Sequence, residues 1–183
     1  LSQYKHNYEL KAQPSKFRSL KTISQLTPLS IYPSIEYLTL DFSGHSATVD
    51  SVEAILALNL RELTLRAANA WNLFVEPNGQ VRSLQASFRR LTSLIVEDMK
   101  PIDTRVSTDS VMDQIGKQLP RSLTRLHLST FSRTPQALLD RLPPHIVDLL
   151  LATMAATAIT RFAYGKDLTK VSFIQQMPAT AET

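Results

Sequence analysis

Apolar residues recur along this chain with spacings of three and then two, as in Leu123-Thr-Arg-Leu126-His-Leu128. A helix would space its apolar residues three and four apart, and a plain strand would space them two apart throughout. The last four residues of such a hexad alternate like a short strand, and its first apolar residue enters the same core from the preceding turn. Six segments fit this pattern: 35–40, 60–65, 91–96, 123–128, 146–151 and 168–173.

The hexads begin 25, 31, 32, 23 and 22 residues apart. Spacings of this size are typical of a solenoid, in which each repeat stacks on the next. One unit cannot bury its apolar face alone, so we expect neighbouring units to share one core and their strands to form a parallel sheet. Phe17-Arg-Ser-Leu20 is a candidate for a degenerate seventh unit or a cap.

The segments between the hexads have the patterns of helices and loops. Apolar residues at helical spacing predict helices over 48–58, 107–119 and 134–142. Ser and Asp are N-cap candidates for the second of these, and the third opens with a capping residue and a proline in its first turn. Residues 70–87 contain Pro77-Asn78-Gly79 and predict a turn within a longer loop. Trp71 in that loop is either a binding anchor or packs on the edge of the solenoid.

The stretches LPRSLTRLHLS (119–129) and LPPHIVDLLLA (142–152) resemble the LPxxLxxLxL units of the leucine-rich repeat family. The resemblance implies an α/β fold: a right-handed leucine-rich-repeat solenoid with a short-stranded parallel sheet on the concave face and helices or loops on the convex face. The family's usual asparagine or cysteine, three residues after the last strand leucine, is missing; Ala68 holds that place and Asn69 follows it. The alternative is an ordinary α/β domain with leucine-rich strands.

The extent of the repeats and the charge pattern together divide the chain into a basic N-terminal arm or cap (1–32), a repeat domain (33–175) and a C-terminal tail (176–183). Five of the 20 basic residues and one of the 16 acidic residues lie in 1–22, so the remainder carries 15 of each. The basic residues of the arm are Lys5, Lys11, Lys16, Arg18 and Lys21. Such an arm docks on an acidic partner or a nucleic acid, or it is a solvated leader.

In the leucine-rich repeat family the concave strand face usually binds the partner. The resemblance places these residues there: Tyr37, Glu62, Arg66, Ile95, Arg125, His127, Asp148, Leu150 and Lys170. Their charges alternate in sign and aromatic platforms are lacking, which favours a protein partner over a nucleic acid. We expect Ile95, Leu150 and Ile174 to be exposed apolar residues on this face, unless a cap or the tail covers them.

The residue inventory excludes several kinds of chemistry. There is no cysteine, which rules out disulfides and thiolate metal sites, and the four histidines have no metal-ligand spacing. We therefore predict no metal and no cofactor. His127, Ser129 and Asp148 suggest a Ser/His/Asp arrangement, but nothing supplies a nucleophile elbow or an oxyanion hole. The longest apolar run, 146–159, is shorter than the roughly 20 residues of a membrane span.

These patterns predict a non-catalytic protein–protein interaction module, most simply a structural or accessory subunit of a larger assembly that binds through the concave face and the basic arm. One alternative is a substrate-recognition adaptor of a ubiquitin ligase, although no F-box-like helical segment precedes residue 33. The other is an RNA- or ribosome-associated protein that uses the arm. The lack of cysteine and of Asn-x-Ser/Thr acceptors fits an intracellular protein, and the basic leader permits a mitochondrial location.

Overall fold

The computed structural model describes residues 19–23, 34–98, 109–131, 136–153 and 169–175. One parallel sheet contains seven strands in chain order: β1 (Ser19–Ile23), β2 (Tyr37–Ser46), β3 (Glu62–Ala68), β4 (Ser93–Asp98), β5 (Arg125–Phe131), β6 (Asp148–Thr153) and β7 (Lys170–Gln175). The α-helices in this part of the chain are α1 (Val49–Leu56), α2 (Leu84–Ser87), α3 (Asp109–Gln118) and α4 (Gln136–Leu139). The sheet is open, and the predicted α/β class with a parallel sheet is confirmed.

The hexads set the register of the sheet. Each strand from β2 to β7 begins at the third residue of a hexad, and equivalent residues pair across the whole series. One such row consists of Leu38, Leu63, Leu94, Leu126, Leu149 and Val171. Strand β1 lies in the segment expected to be an arm or cap, and Leu20 pairs with Leu38. This pairing fits the degenerate seventh unit that Phe17-Arg-Ser-Leu20 suggested.

The core lies on one face of the sheet. The two inward rows of apolar strand residues from β2 to β6 are at most 2% exposed, and the leading hexad residues Ile35, Leu60, Leu91, Leu123 and Ile146 are equally buried. Val52 and Ile55 of α1, Met112 and Ile115 of α3, and Leu138 of α4 belong to the same cluster. The helices therefore pack on the leucine face, where each fully buried leucine contributes about 1.5–3 kcal/mol.

The predicted helices are shorter in the structure. Helix α1 begins after Thr48, whose Oγ1 accepts a hydrogen bond from the backbone N–H of Ser51 at 3.2 Å, an ordinary N-cap. Helices α3 and α4 lie inside the predicted ranges 107–119 and 134–142, while residues 107–108 and 134–135 lie outside the described part of the chain. At Gly116 a Cβ atom would lie 2.6 Å from Cβ of Arg141 and 3.3 Å from the carbonyl oxygen of Leu138, so α3 packs closely against the end of α4 there.

The predicted loop 70–87 contains more structure than its composition indicated. A 3-10 helix (Ala70–Leu73) is followed by an antiparallel bridge between Val75 and Val81, and Gly79 provides the positive φ of 86° between them. Trp71 is only 5% exposed, and its ring centroid lies 5.1 Å from that of Phe74. Its packing role is therefore supported over a role as a binding anchor.

A second hydrogen-bond ladder joins the turns that enter the strands. The carbonyl of Arg61 accepts two hydrogen bonds from Thr92, one from its backbone N–H at 2.8 Å and one from its side-chain hydroxyl at 3.1 Å. The hydroxyl of Thr124 donates in the same way to the carbonyl of Thr92, and that of Thr169 to the carbonyl of Val147. Threonine at the second hexad position thus satisfies carbonyl groups at the sheet margin and holds neighbouring units in line.

Candidate partner-binding surface

The residues between the inward leucines project from the other face of the sheet, because side chains alternate along a strand. We call this surface the open face. Its described side chains on β2–β6 are Tyr37, Thr39, Asp41, Glu62, Thr64, Arg66, Ser93, Ile95, Glu97, Arg125, His127, Ser129, Asp148 and Leu150. All of these except Ser93 keep part of their surface exposed, in contrast to the leucine face.

The structure brings the predicted partner-binding residues together on the open face. Tyr37, Glu62, Arg125 and Asp148 belong to one row of paired residues, and Ile95, His127 and Leu150 belong to the next. Lys170 continues the first row on β7, although its side chain is not described. Of the arm residues, Lys21 lies in β1, whereas Lys5, Lys11, Lys16 and Arg18 lie outside the described residues.

Arg66 links three strands of the open face. Its Nε lies 2.6 Å from Oε2 of Glu97 on β4, and its Nη1 lies 4.0 Å from Oδ2 of Asp41 on β2. The side chains of Arg66 and Glu97 are 47% and 43% exposed, so the pair contributes about 0–1 kcal/mol to stability. The contacts with Glu97 and Asp41 instead orient the guanidinium group of Arg66 on an accessible surface.

A second charged group spans β5 and β6. Oδ2 of Asp148 lies 3.2 Å from Nε of Arg125, and Oδ1 lies 3.1 Å from Nε2 of His127. The proximity of His127 and Asp148 that the sequence suggested is therefore present. Ser129 lies further along the same strand, where its Oγ is 3.5 Å from the carbonyl oxygen of Val96. Asp148 is the less exposed member of the pair with Arg125: its side chain is 16% exposed and that of Arg125 is 47% exposed.

The apolar part of the open face differs from the expectation. Ile95 and Leu150 are half-buried rather than exposed, because Thr64 and His127 flank Ile95 and His127 flanks Leu150. Ile174 lies in β7, where side chains are not described. Tyr37 is 38% exposed and is the large apolar residue most available on the described part of this face.

The described side chains of the open face on β2–β6 carry a net negative charge that the sequence pattern did not reveal. They include four carboxylates, Asp41, Glu62, Glu97 and Asp148, against the two guanidiniums of Arg66 and Arg125, a net charge of −2. Asp148 is matched by Arg125, so the excess lies on β2–β4. Ser93, which lies between Glu62 and Arg125 in its row, has the smallest side chain of that row and is 6% exposed.

One group beside this face was missed by the sequence analysis. Exposed arginines lie in the turns that enter the strands, at Arg89, Arg90 and Arg121. Their signal is visible in the sequence as the arginines before the hexads at 91–96 and 123–128. The sequence analysis did not detect this cluster because it counted charge over all residues after the N-terminal arm, where these arginines are offset by carboxylates that lie elsewhere.

The described residues contain no group of three or more His, Cys, Asp or Glu side chains arranged to hold a metal ion. Among the helices of the described segments, none has the length and apolar content to cross a membrane.

Comparison with models of known protein families gives no match to this chain, and comparisons with curated protein sequences and with solved structures give none either.

Proposed function

We propose that the chain is a right-handed leucine-rich-repeat solenoid that acts as a non-catalytic protein-interaction module and binds its partner through the open face. The observation that carries this proposal is the register of the sheet, in which equivalent hexad residues stand opposite each other from β2 to β7. Parallel strands in chain order, with the helices on one side, are what stacked repeats produce. Right-handedness is expected because parallel crossover connections are almost always right-handed.

The open face suits a protein partner for two physical reasons. Its side chains stand on neighbouring strands of one sheet, so little conformational entropy is lost when a partner binds. It also combines an exposed tyrosine, hydroxyl groups and oriented ion pairs, a mixture typical of protein interfaces. The excess of carboxylates on β2–β4 favours a partner surface that is basic opposite Asp41, Glu62 and Glu97.

We further propose that the protein is a structural or accessory subunit of a larger assembly. A pre-formed surface that spans several strands suits a permanent contact, and the basic arm would supply a second one. The test is size-exclusion chromatography with mass spectrometry on the protein recovered from its native source at moderate salt. Elution with the same partners at constant stoichiometry is expected. Elution at the size of the free chain would contradict permanent assembly.

The location of the contact is tested by a photo-reactive amino acid placed at Glu62 on the open face or at Gln114 on the outer surface of α3. Both positions are exposed, so the label reports on neighbours rather than on folding. We expect a discrete cross-linked partner from Glu62 and none from Gln114. Equal cross-linking from both positions, or cross-linking from Gln114 alone, would refute the open face as the binding surface.

A further inference from the structure

The turns that enter β4, β5 and β6 are built alike and stack on one another. In each turn the N–H of the last residue donates to the carbonyl of the first: Leu91 to Phe88, Leu123 to Pro120, and Ile146 to Pro143. The hydroxyl of Ser122 also donates to the carbonyl of Leu91 at 2.7 Å, which joins the first two turns. Side chains at equivalent positions of these turns are therefore close neighbours.

Arginines occupy the second position of the turns that enter β4 and β5, whereas Pro144 holds that position in the turn that enters β6. Arg89 and Arg121 are each the second residue of their turn, so they stand at equivalent positions of two turns that stack on one another. Arg90 follows Arg89, and all three side chains are exposed. Like charges at neighbouring positions repel each other, and no carboxylate in the described part of the chain forms an ion pair with them. We call these three residues the arginine rim.

Other arginines near the rim each form an ion pair with a carboxylate. Arg61, in the turn that enters β3, has its Nε 3.3 Å from Oε2 of Glu36. Arg66 and Arg125 on the open face are also held by carboxylates. The arginine rim therefore differs from these three arginines: its guanidinium groups lie close together and form no ion pair with a carboxylate of the described residues. A guanidinium fork binds carboxylate or phosphate oxygens in a bidentate manner.

We propose that the arginine rim binds an acidic segment of a partner protein. A nucleic acid is disfavoured because the rim is short and borders the open face, whose net negative charge on β2–β4 would repel a continuing phosphate backbone. A protein can place acidic side chains at the rim and basic ones opposite the open face. The proposal rests on the proposed function, since it fixes how a partner on the open face is oriented, with its acidic part at the strand entrances.

The experiment uses the full chain and a fluorescent ten-residue glutamate peptide, with binding followed by anisotropy at low salt. The test variant Arg89→Gln/Arg121→Gln is compared with Gln80→Glu/Gln114→Glu, which changes the net charge equally at exposed positions away from the rim. We expect the rim variant to bind about tenfold more weakly and the control to bind within about twofold of the unaltered protein. Equal weakening in both variants would overturn the proposal.

Two further variants separate the competing explanations. In a background with Lys5, Lys11, Lys16, Arg18 and Lys21 all changed to Gln, binding should persist and still depend on the rim; loss of binding there would assign the peptide to the arm and refute the rim. Arg89→Lys/Arg121→Lys keeps the charge but not the guanidinium fork, and we expect an intermediate, roughly threefold loss.

A ten-nucleotide single-stranded RNA serves as the alternative ligand. If the RNA binds more tightly than the peptide and depends more strongly on Arg89 and Arg121, the partner is a nucleic acid and the proposal is wrong. Because the peptide assay requires no natural partner, its failure leaves the cross-linking test at Glu62 unaffected. Failure of that cross-linking test with intact peptide binding would instead refute the open face and leave the rim as an isolated acid-binding site.

Discussion

Leu63 and Thr64 are neighbours in β3, yet they belong to surfaces with opposite requirements. Leu63 is fully buried in the row of leucines under the helices, whereas Thr64 is partly exposed on the open face. The leucine face consists of nearly identical side chains in register. The open face changes from strand to strand: the row that contains Glu62 continues with Ser93, Arg125 and Asp148.

The difference separates folding from recognition within each strand. Burial of equivalent leucines favours one register, because a shift by one residue would turn every leucine to solvent. Once the register is held from the leucine face, the residues of the open face are free to differ, since few of them are needed for stability. Stability and binding should therefore be separable by substitutions that are one residue apart.

The sharpest test of this separation is to truncate the two neighbours in β3. Leu63→Ala should lower the free energy of unfolding by about 2–5 kcal/mol, since it removes buried methyl groups and leaves a cavity. Thr64→Ala, the matched control, should cost less than about 1 kcal/mol, the range of strand propensities. Urea denaturation followed by circular dichroism measures both. Similar losses at the two positions would contradict the assignment of separate roles to the two faces.

A smaller effect is expected from two arginines on opposite sides of the sheet. Arg82 is 8% exposed on the helix side; its Nε donates to the carbonyl of Asn72 at 3.0 Å, and its Nη1 lies 2.5 Å from Glu53. Arg82→Ala should cost about 1–3 kcal/mol, because the part-buried carbonyl of Asn72 loses its donor. Arg66→Ala should cost about 0–1 kcal/mol, as expected of an exposed ion pair.

The same urea titrations compare the two arginine variants, and cross-linking from Glu62 provides the second readout. Arg66→Ala should weaken partner capture while leaving the unfolding midpoint nearly unchanged. Arg82→Ala should shift the midpoint and leave capture intact wherever the protein remains folded. The reverse pattern would show that the charged group of Arg66 is structural.

The features that the sequence predicted well are those repeated in every unit. The hexad spacing indicated the strands and their parallel pairing, because burial of equivalent leucines leaves little freedom in register. The Pro77-Asn78-Gly79 turn was also predicted, since it depends on local backbone chemistry.

The features that the sequence did not predict depend on neighbours that are distant in the chain. The partial burial of Ile95 comes from Thr64 and His127 on adjacent strands, which the composition of β4 cannot reveal. The arginine rim arises because Arg89 and Arg121 fall at equivalent positions of stacked turns. Aligning the residues before each hexad, rather than counting charges, would have found it.

The smallest expected effect concerns charges on the helix side, at Asp113 of α3. Hydrogen bonds from Lys117 and then Arg141 lower the pKa of this carboxyl below its usual value of 3.8. A lowered folded-state pKa contributes stability above the unfolded-state pKa, and this contribution is lost as the pH falls through the folded-state pKa. Asp113→Asn should therefore reduce the urea midpoint slightly at about pH 7. The difference from the unaltered protein should shrink as the pH falls below 3.8.

In a Lys117→Gln/Arg141→Gln background the same substitution should have no pH-dependent effect, since both donors are gone. If the difference is constant with pH, the carboxylate acts through packing and not through its charge. Because Asp113 lies on α3, away from the open face, partner capture should be unchanged throughout, which separates this charged group from those of Arg66 and Arg125.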